Sequence, residues 1–266
     1  MSPVAEASSG RLAFASVSDV GRSRKNNEDT VGDPAILARV VGGAARLKAR
    51  GALFAVADGM GGHSRGELAS HLAVATLFSS YYKSSADHQD ALVAAVEAAN
   101  ASVFLAGGAA NADLEKTSPL RMGTTLVAAL CLDGRVLFAN VGDSRAYLLS
   151  SGELRQVTTD HSLVAEEIRL GMLNADEAKH APFKNVLTRA LGAEKDSNAE
   201  VFDTAWSPGD AFLLCSDGLH GVVEEPAMKD ALAGTSPDDA ARRLVALANE
   251  AGGPDNVSVV VVRLEE

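Results

Sequence analysis

Four short acidic runs fall where an apolar stretch gives way to a turn: Asn27-Glu28-Asp29, Asp58-Gly59, Ser216-Asp217-Gly218 and Gly253-Pro254-Asp255-Asn256. Gly142-Asp143-Ser144-Arg145 is a fifth. The shared grammar is an apolar run, a carboxylate, then a small residue. A carboxylate at a strand end can point out of a rigid sheet into an opening. A glycine after it lets a metal or phosphate approach the backbone and exposes a carbonyl oxygen. Several such oxygens converging suit a hard cation, magnesium or manganese. The sequence has no HExxH, no CxxC and no closely spaced pair of histidines, which weakens a zinc reading. Taken singly, each Asp-Gly reads as a turn, and Asp133-Gly134 is expected to be only that.

Carboxylates at strand ends need strands to hold them. Residues 11–19, RLAFASVSD, alternate as a strand does. The apolar run 51–59 ends in Asp58-Gly59 and reads as a buried strand. Residues 66–82 read as a helix with Leu68, Leu72 and Ala75 on one face. Residues 89–106 read as a second, with Leu92, Val96, Ala99 and Val103 in a stripe. A polar, Gly-rich loop is expected over 107–121. Residues 123–158 form a run of strands, with turns at Asp133-Gly134, Gly142-Asp143 and Ser151-Gly152. Residues 160–192 are a polar excursion with short helical pieces.

Two further strands, VFDTAW and AFLLCSDG, are joined through Ser207-Pro208-Gly209-Asp210. The helix 237–251 has Ser236 as N-cap, Pro237 at its first position and Asp239 at its third, and Gly252-Gly253-Pro254 stops it. NVSVVVVRL is the last strand. With no internal repeat, residues 11–266 read as one domain whose first and last strands pair into shared sheets. Residues 1–10 read as a flexible arm. Residues 33–50 form a basic, Ala-rich insert carrying Arg39, Arg46, Lys48 and Arg50.

Composition narrows the function classes. The 266 residues carry 24 Lys and Arg against 35 Asp and Glu, a net charge of −11, so a broad basic nucleic-acid face is not expected. Hydrophobic residues at 47% and charged residues at 22% are ordinary for a globular chain, which excludes wholesale disorder. Cys131 and Cys215 sit in apolar runs and read as core residues, not as a disulfide framework or zinc cluster. No apolar run approaches the roughly 20 residues of a bilayer span. The first ten residues lack the basic and apolar regions of a signal peptide. These features predict a cytoplasmic protein with no membrane span.

Six blocks occur in order: SDVGRSRKNNEDT (18–30), ADGMGGHSRGE (57–67), GTTL (123–126), NVGDSRAYLL (140–149), LLCSDGL (213–219) and GGPDNVSVVVV (252–262). Together they resemble the signature blocks of the PP2C (PPM) family of metal-dependent serine/threonine protein phosphatases, in its bacterial form. The resemblance spans residues 10–264. It implies a four-layer αββα sandwich of two packed, mainly antiparallel sheets. It also implies a metal-bridging hydroxide that attacks phosphorus directly at a centre of two Mn2+ or Mg2+ ions. Asp58 matches the aspartate bridging both metals. Gly59 would give its backbone carbonyl to the second metal, beside Glu28. Asp217 and Asp255 match ligands of the first, and Asp143 with Asp217 matches a weaker third site. Asp29 matches an outer neighbour acting through water, and Asn256 would orient the Asp255 loop. Arg24 stands where the family places its phosphate-binding arginine.

The general acid stays open. His63 is the nearest candidate, because Met60 occupies the position of the better-known histidine; a metal-bound water or His161 are the alternatives. Gly123-Thr124-Thr125 is assigned to packing, Ser144-Arg145 to support of the Asp143 turn, and Arg189 to structure. Residues 160–192 match the family's variable flap. The implied partners are phosphorylated proteins, a serine/threonine kinase and its targets, met by a monomer. A catalytically weak phosphoprotein-binding relative is the rival, disfavoured because Glu28, Asp58, Asp217 and Asp255 are all present.

Overall fold

The structure, a computed structural model, describes residues 4–7, 10–35, 49–61, 64–111 and 122–265. In chain order the strands are β1 (Val4–Ala7), β2 (Gly10–Asp19), β3 (Asp29–Gly32), β4 (Ala52–Met60), β5 (Gly123–Thr124) and β6 (Leu126–Leu132). They continue with β7 (Arg135–Val141), β8 (Arg145–Ser150), β9 (Glu153–Gln156), β10 (Glu200–Ala205), β11 (Ala211–Cys215) and β12 (Val257–Glu265). The helices are α1 (Ser64–Lys83), α2 (His88–Asn111), α3 (Leu163–Arg169), α4 (Ala175–His180), α5 (Asp217–His220), α6 (Glu225–Leu232) and α7 (Pro237–Glu250).

Two antiparallel sheets lie face to face. One runs β1-β2-β12-β11-β8-β9; the other runs β10-β7-β6-β4-β3, with β5 paired to the end of β4. Helices α1 and α2 cover the outer face of the second sheet, and α6 and α7 cover the first. The architecture is the expected αββα sandwich. Alternation of side chains along each strand divides the apolar residues among three interior layers. On β4, Leu53, Ala55 and Ala57 face α1 and α2, whereas Ala52, Phe54 and Val56 face the other sheet. On β12, Val257, Val259 and Val261 face α6 and α7, whereas Val260, Val262 and Leu264 face inward.

Of the three turns expected within 123–158, two are hairpins. Asp133-Gly134 closes β6 on β7, and Ser151-Gly152 closes β8 on β9 with φ of 51° and 78°. The third, read only as a turn, carries the chain at Gly142-Asp143-Ser144 from one sheet to the other, because β7 and β8 belong to different sheets. The segment 207–210 is likewise a crossover, between β10 and β11. Sequence alternation does not distinguish a hairpin turn from a passage between sheets.

The stretch expected to be a loose arm carries β1, which pairs with β2 through Val4↔Ala13 to Ala7↔Gly10. Helix α2 runs to Asn111, past the expected end at 106, into the expected loop. Residues 36–48 of the basic insert, with Arg39, Arg46 and Lys48, lie outside the described residues. Contrary to the sequence expectation, one helix among the described residues, His88–Gly108, is long and apolar enough to cross a membrane by length and composition. Its Leu92, Val96, Ala99 and Val103 stripe packs into the core beneath the second sheet.

Candidate metal centre

The inter-sheet layer changes character along its length, and strand register alone dictates where. Continuing the inward rows beyond their apolar residues gives Ser16 and Ser18 on β2 and Asp58 on β4. The same step gives Thr125 before β6, Asn140 on β7, Ser144 before β8, Ser216 after β11 and Ser258 on β12. Asp29 pairs with Asp58 across β3 and β4 and faces the same way. One end of the sandwich interior is therefore apolar and the other is lined with hydroxyls and carboxylates.

At the polar end opens a cleft of about 690 Å³. Glu28, Asp58, Gly59, Asp143, Asp217 and Asp255 all line it, as do Arg24 and Asn256. The residues singled out as metal ligands thus converge on one opening from five separate chain segments. Asp29 lies behind the cleft floor, its Oδ2 accepting a hydrogen bond from Ser216 Oγ at 2.8 Å. His63 lies outside the described residues.

Each segment is pinned by short contacts. Asn256 is the hub for two loops: its Nδ2 donates to the carbonyls of Val20 (3.0 Å) and Asn26 (2.9 Å), and its Oδ1 accepts from the Glu28 backbone N–H (2.9 Å). Asn256, expected to orient the Asp255 loop, thus holds the Glu28 loop. Gly59 N–H donates to the Glu28 carbonyl. A Cβ on Gly59 would collide with the Gly66 carbonyl, and one on Gly218 with the Asn256 carbonyl. The glycines after Asp58 and Asp217 are thus demanded by close backbone approach, independently of any ligand.

Packing was the role assigned to Gly123-Thr124-Thr125, but the two hydroxyls position Asp58. Thr125 Oγ1 accepts from the Asp58 N–H at 2.9 Å, and Thr124 Oγ1 donates to the Asp58 carbonyl at 2.8 Å. Thr125 also bonds Ser144 beside Asp143. Thr125 continues the inward row of β6, a signal that the reading as packing did not use. Arg145, assigned to support of the Asp143 turn, grips Asp160 through Nε and Nη2 (2.7–3.0 Å). Arg189 lines the cleft and is held by Glu200 (3.0 Å) and the Asn198 carbonyl.

His161 is not a cleft residue. Its Nδ1 accepts from the Gly142 N–H (3.1 Å), and its Nε2 lies 3.3 Å from Glu200. Burial pushes its pKa down, with the Arg189 charge acting in the same direction. Of the alternatives for general acid, His161 is therefore withdrawn.

The electrostatics is that of carboxylates lacking enough counter-charge. Burial is the largest cause raising the pKa of Asp29 and of Asp143, each to about 7, and Asp217 adds to both. Burial followed by Asp29 and Asp217 raises Asp58 well above the carboxylate range; burial followed by Asp255 raises Asp217. Arg24 Nη2 donates to Asp255 Oδ2 at 2.6 Å, and that bond raises its own pKa. Among the described residues no group of three or more Asp, Glu, His or Cys side chains is closed into a ready cation cage. Even so, the donor set fits a hard cation. It is all oxygen, and Asp29 Oδ1 and Asp217 Oδ1 are buried without a hydrogen-bond partner.

Comparison with known proteins agrees with this geometry. Residues 41–248 match the sequence profile of protein phosphatase 2C. The serine/threonine phosphatase stp of Listeria welshimeri is 38% identical over 250 residues, 92% of each chain. The crystal structure of the Mycobacterium tuberculosis serine/threonine phosphatase PstP/Ppp superposes with a TM-score of 0.80 at 37% identity, covering 96% of this chain and 99% of that one. A structure of the PstP catalytic domain in complex with two manganese ions gives 0.78 at 37% identity, over 96% and 99%. The chain belongs to the protein phosphatase 2C family, the metal-dependent serine/threonine phosphatases, in its bacterial form.

Proposed function

We propose that this chain hydrolyses phosphoserine and phosphothreonine on proteins at a binuclear magnesium or manganese centre in the carboxylate-lined cleft. In the cytoplasm it would act as a monomer opposing a serine/threonine kinase. The carrying observation is the convergence of Glu28, Asp58, Asp143, Asp217, Asp255 and Arg24 on one opening at the polar end of the sandwich. Asp58 would bridge two ions, with Glu28 and the Gly59 carbonyl on one and Asp217 and Asp255 on the other. Asp143 with Asp217 would hold a weaker third. When bound, the divalent ions lower the proton affinity of water and offset the charge of the phosphoryl oxygens.

The chain's own residues supply the rest. Hydroxyls of Thr124 and Thr125 fix the Asp58 backbone, and Asn256 fixes the Glu28 and Asp255 loops together. Asp29 stands behind the ligands as a buried acceptor. Arg24, half-exposed and bound to Asp255, can turn two N–H groups onto phosphate oxygens, a geometry lysine cannot match. Arg24→Ala should therefore raise KM more than it lowers kcat. His63 is the proposed proton donor to the leaving oxygen. Of residues 160–192, Asn185 and Leu187 to Ala190 line the cleft, and the segment would act as a flap that shapes substrate choice. Residues 11–266 act as one catalytic domain.

The test is phosphate release from a phosphothreonine peptide and from an aryl phosphate, with Mn2+, with Mg2+ and with excess chelator, beside Asp58→Asn. Metal-dependent turnover that Asp58→Asn abolishes is the expected result. Turnover unaffected by chelator or by Asp58→Asn would overturn the reading.

A further inference from the structure

Asp143 sits on the crossover between the two sheets, and Asp217 opens the single turn α5 at the end of β11. Both residues line the same cleft. Like charges on two separate connections drive those connections apart unless something ties them. The neighbours of Asp143 are tied to their surroundings. Gly142 exchanges hydrogen bonds with His161, Ser144 bonds Thr125, and Arg145 grips Asp160. None of these contacts reaches α5.

His220 does. It lies three residues after Asp217, so both side chains belong to one helical turn, closed by Gly221 N–H on the Asp217 carbonyl at 2.8 Å. His220 Nε2 is 3.0 Å from the Asp143 carbonyl oxygen. A carbonyl only accepts, so the imidazole carries its proton on Nε2. Burial holds the ring's pKa down to about 3, with Arg145 adding to the effect, so the ring is neutral and the bond persists across ordinary pH.

We propose that His220 is a positioning residue that locks the Asp143 turn to the Asp217 turn, holding the two carboxylates as a pair for one divalent ion. The proposal rests on the reading of Asp143 and Asp217 as ligands and adds what keeps them together. Partners of this kind, one bond removed from the ligand, commonly control affinity by about 10–100-fold.

The test uses the full chain with His220→Leu, His220→Gln, His220→Asn and Asp143→Asn. Mn2+ binding is measured by calorimetric titration without substrate, beside the Mn2+ dependence of turnover and the KM for a phosphothreonine peptide. Expected is a loss of about 10-fold in affinity at the weakest Mn2+ site in His220→Leu, with KM unchanged. His220→Gln, whose amide N–H reaches the same place, should restore the affinity, and the shorter His220→Asn should not. If His220→Leu fails to fold, the Gln and Asn variants carry the comparison. Wild-type Mn2+ affinity in His220→Leu, or equal loss in the Gln and Asn variants, would overturn the tie. Asp143→Asn separates the two readings. If it keeps every Mn2+ site, the ligand assignment itself fails. If it loses a site that His220→Leu keeps, only the tie fails.

Discussion

The two ends of the inter-sheet layer are built from the same strands in the same register, yet they obey opposite rules. At one end Phe54, Phe138 and Trp206 surround Phe212, with ring centroids 5.5–6.0 Å apart and mostly edge-on. That end is stabilised by dispersion and by removal of apolar surface from water. At the other end the same inward positions hold Ser18, Ser216, Ser258, Thr125, Asp29 and Asp58. Ser258 Oγ donates to Ser18 Oγ, Ser258 N–H donates to Ser216 Oγ, and Ser216 Oγ donates to Asp29. The serines form a hydrogen-bonded floor on which carboxylates can be buried, but the charge they carry is not balanced there. The apolar end makes the sandwich; the polar end spends stability on a site.

The two ends should respond in opposite ways to a pair of substitutions. Phe212→Ala opens a cavity among three aromatic rings and should cost about 3–5 kcal/mol of unfolding free energy. Its effect on metal-dependent turnover of the remaining folded protein should be slight. Asp58→Asn should do the reverse. Turnover should fall by more than about 100-fold, beyond what losing an outer partner of a metal site costs. Chelated protein should meanwhile unfold at a higher temperature, because one buried carboxylate facing Asp29 and Asp217 has gone. Denaturant unfolding in chelator and phosphate release in Mn2+ measure both. A lower Tm for chelated Asp58→Asn would show that the polar end is not under strain.

Much of this division can be read in the amino-acid sequence. Apolar alternation ending in Asp58, Asp217 and the 252–256 block placed carboxylates at strand ends, and the structure brings them to one cleft. The turn at Asp133-Gly134 and the cap at Ser236, whose Oγ accepts from Asp239 N–H at 3.2 Å, are local features and were equally legible. What stayed hidden depends on pairing between distant segments. Gly142-Asp143 reads as a turn of unspecified kind, and only the sheet assignment of β7 and β8 makes it a crossover that delivers Asp143 to the opening. Thr124 and Thr125 read as packing because their partner, the Asp58 backbone, is some 66 residues away in the chain. His220 gives no sequence signal at all: its partner is a main-chain carbonyl 77 residues away.

A gentler probe is the serine floor. Ser216→Ala removes the donor to Asp29 and leaves the Ser258 N–H without its acceptor. An unsatisfied buried group costs about 1–3 kcal/mol, so the loss should fall below that of Phe212→Ala. Because Ser216 also favours the ionised form of Asp29, its removal should push the Asp29 pKa further up, and carboxyl NMR of the chelated protein reads that directly. An unchanged Asp29 titration would detach the floor from the charge above it.

The two ends also differ in pH dependence, whose sign changes between metal-free and metal-loaded protein. Asp29 and Asp143 titrate at about 7 when folded, against 3.8 for free carboxyls, chiefly because burial disfavours the ionised form. Between those two values the folded chain binds protons that the unfolded chain has released. Unfolding free energy therefore falls as pH rises through that window. Chelated protein should lose several degrees of Tm from pH 5 to pH 8. A divalent ion held by Asp143 would compete with the proton there, so the stabilisation given by saturating Mn2+ should grow over the same interval. The two curves should diverge upward in pH, and the divergence should shrink in Asp143→Asn. An apolar-end variant such as Phe212→Ala should shift both curves down together and leave their separation intact. Parallel pH curves with and without Mn2+ in the wild-type chain would mean that the polar end does not hold its protons in place of metal.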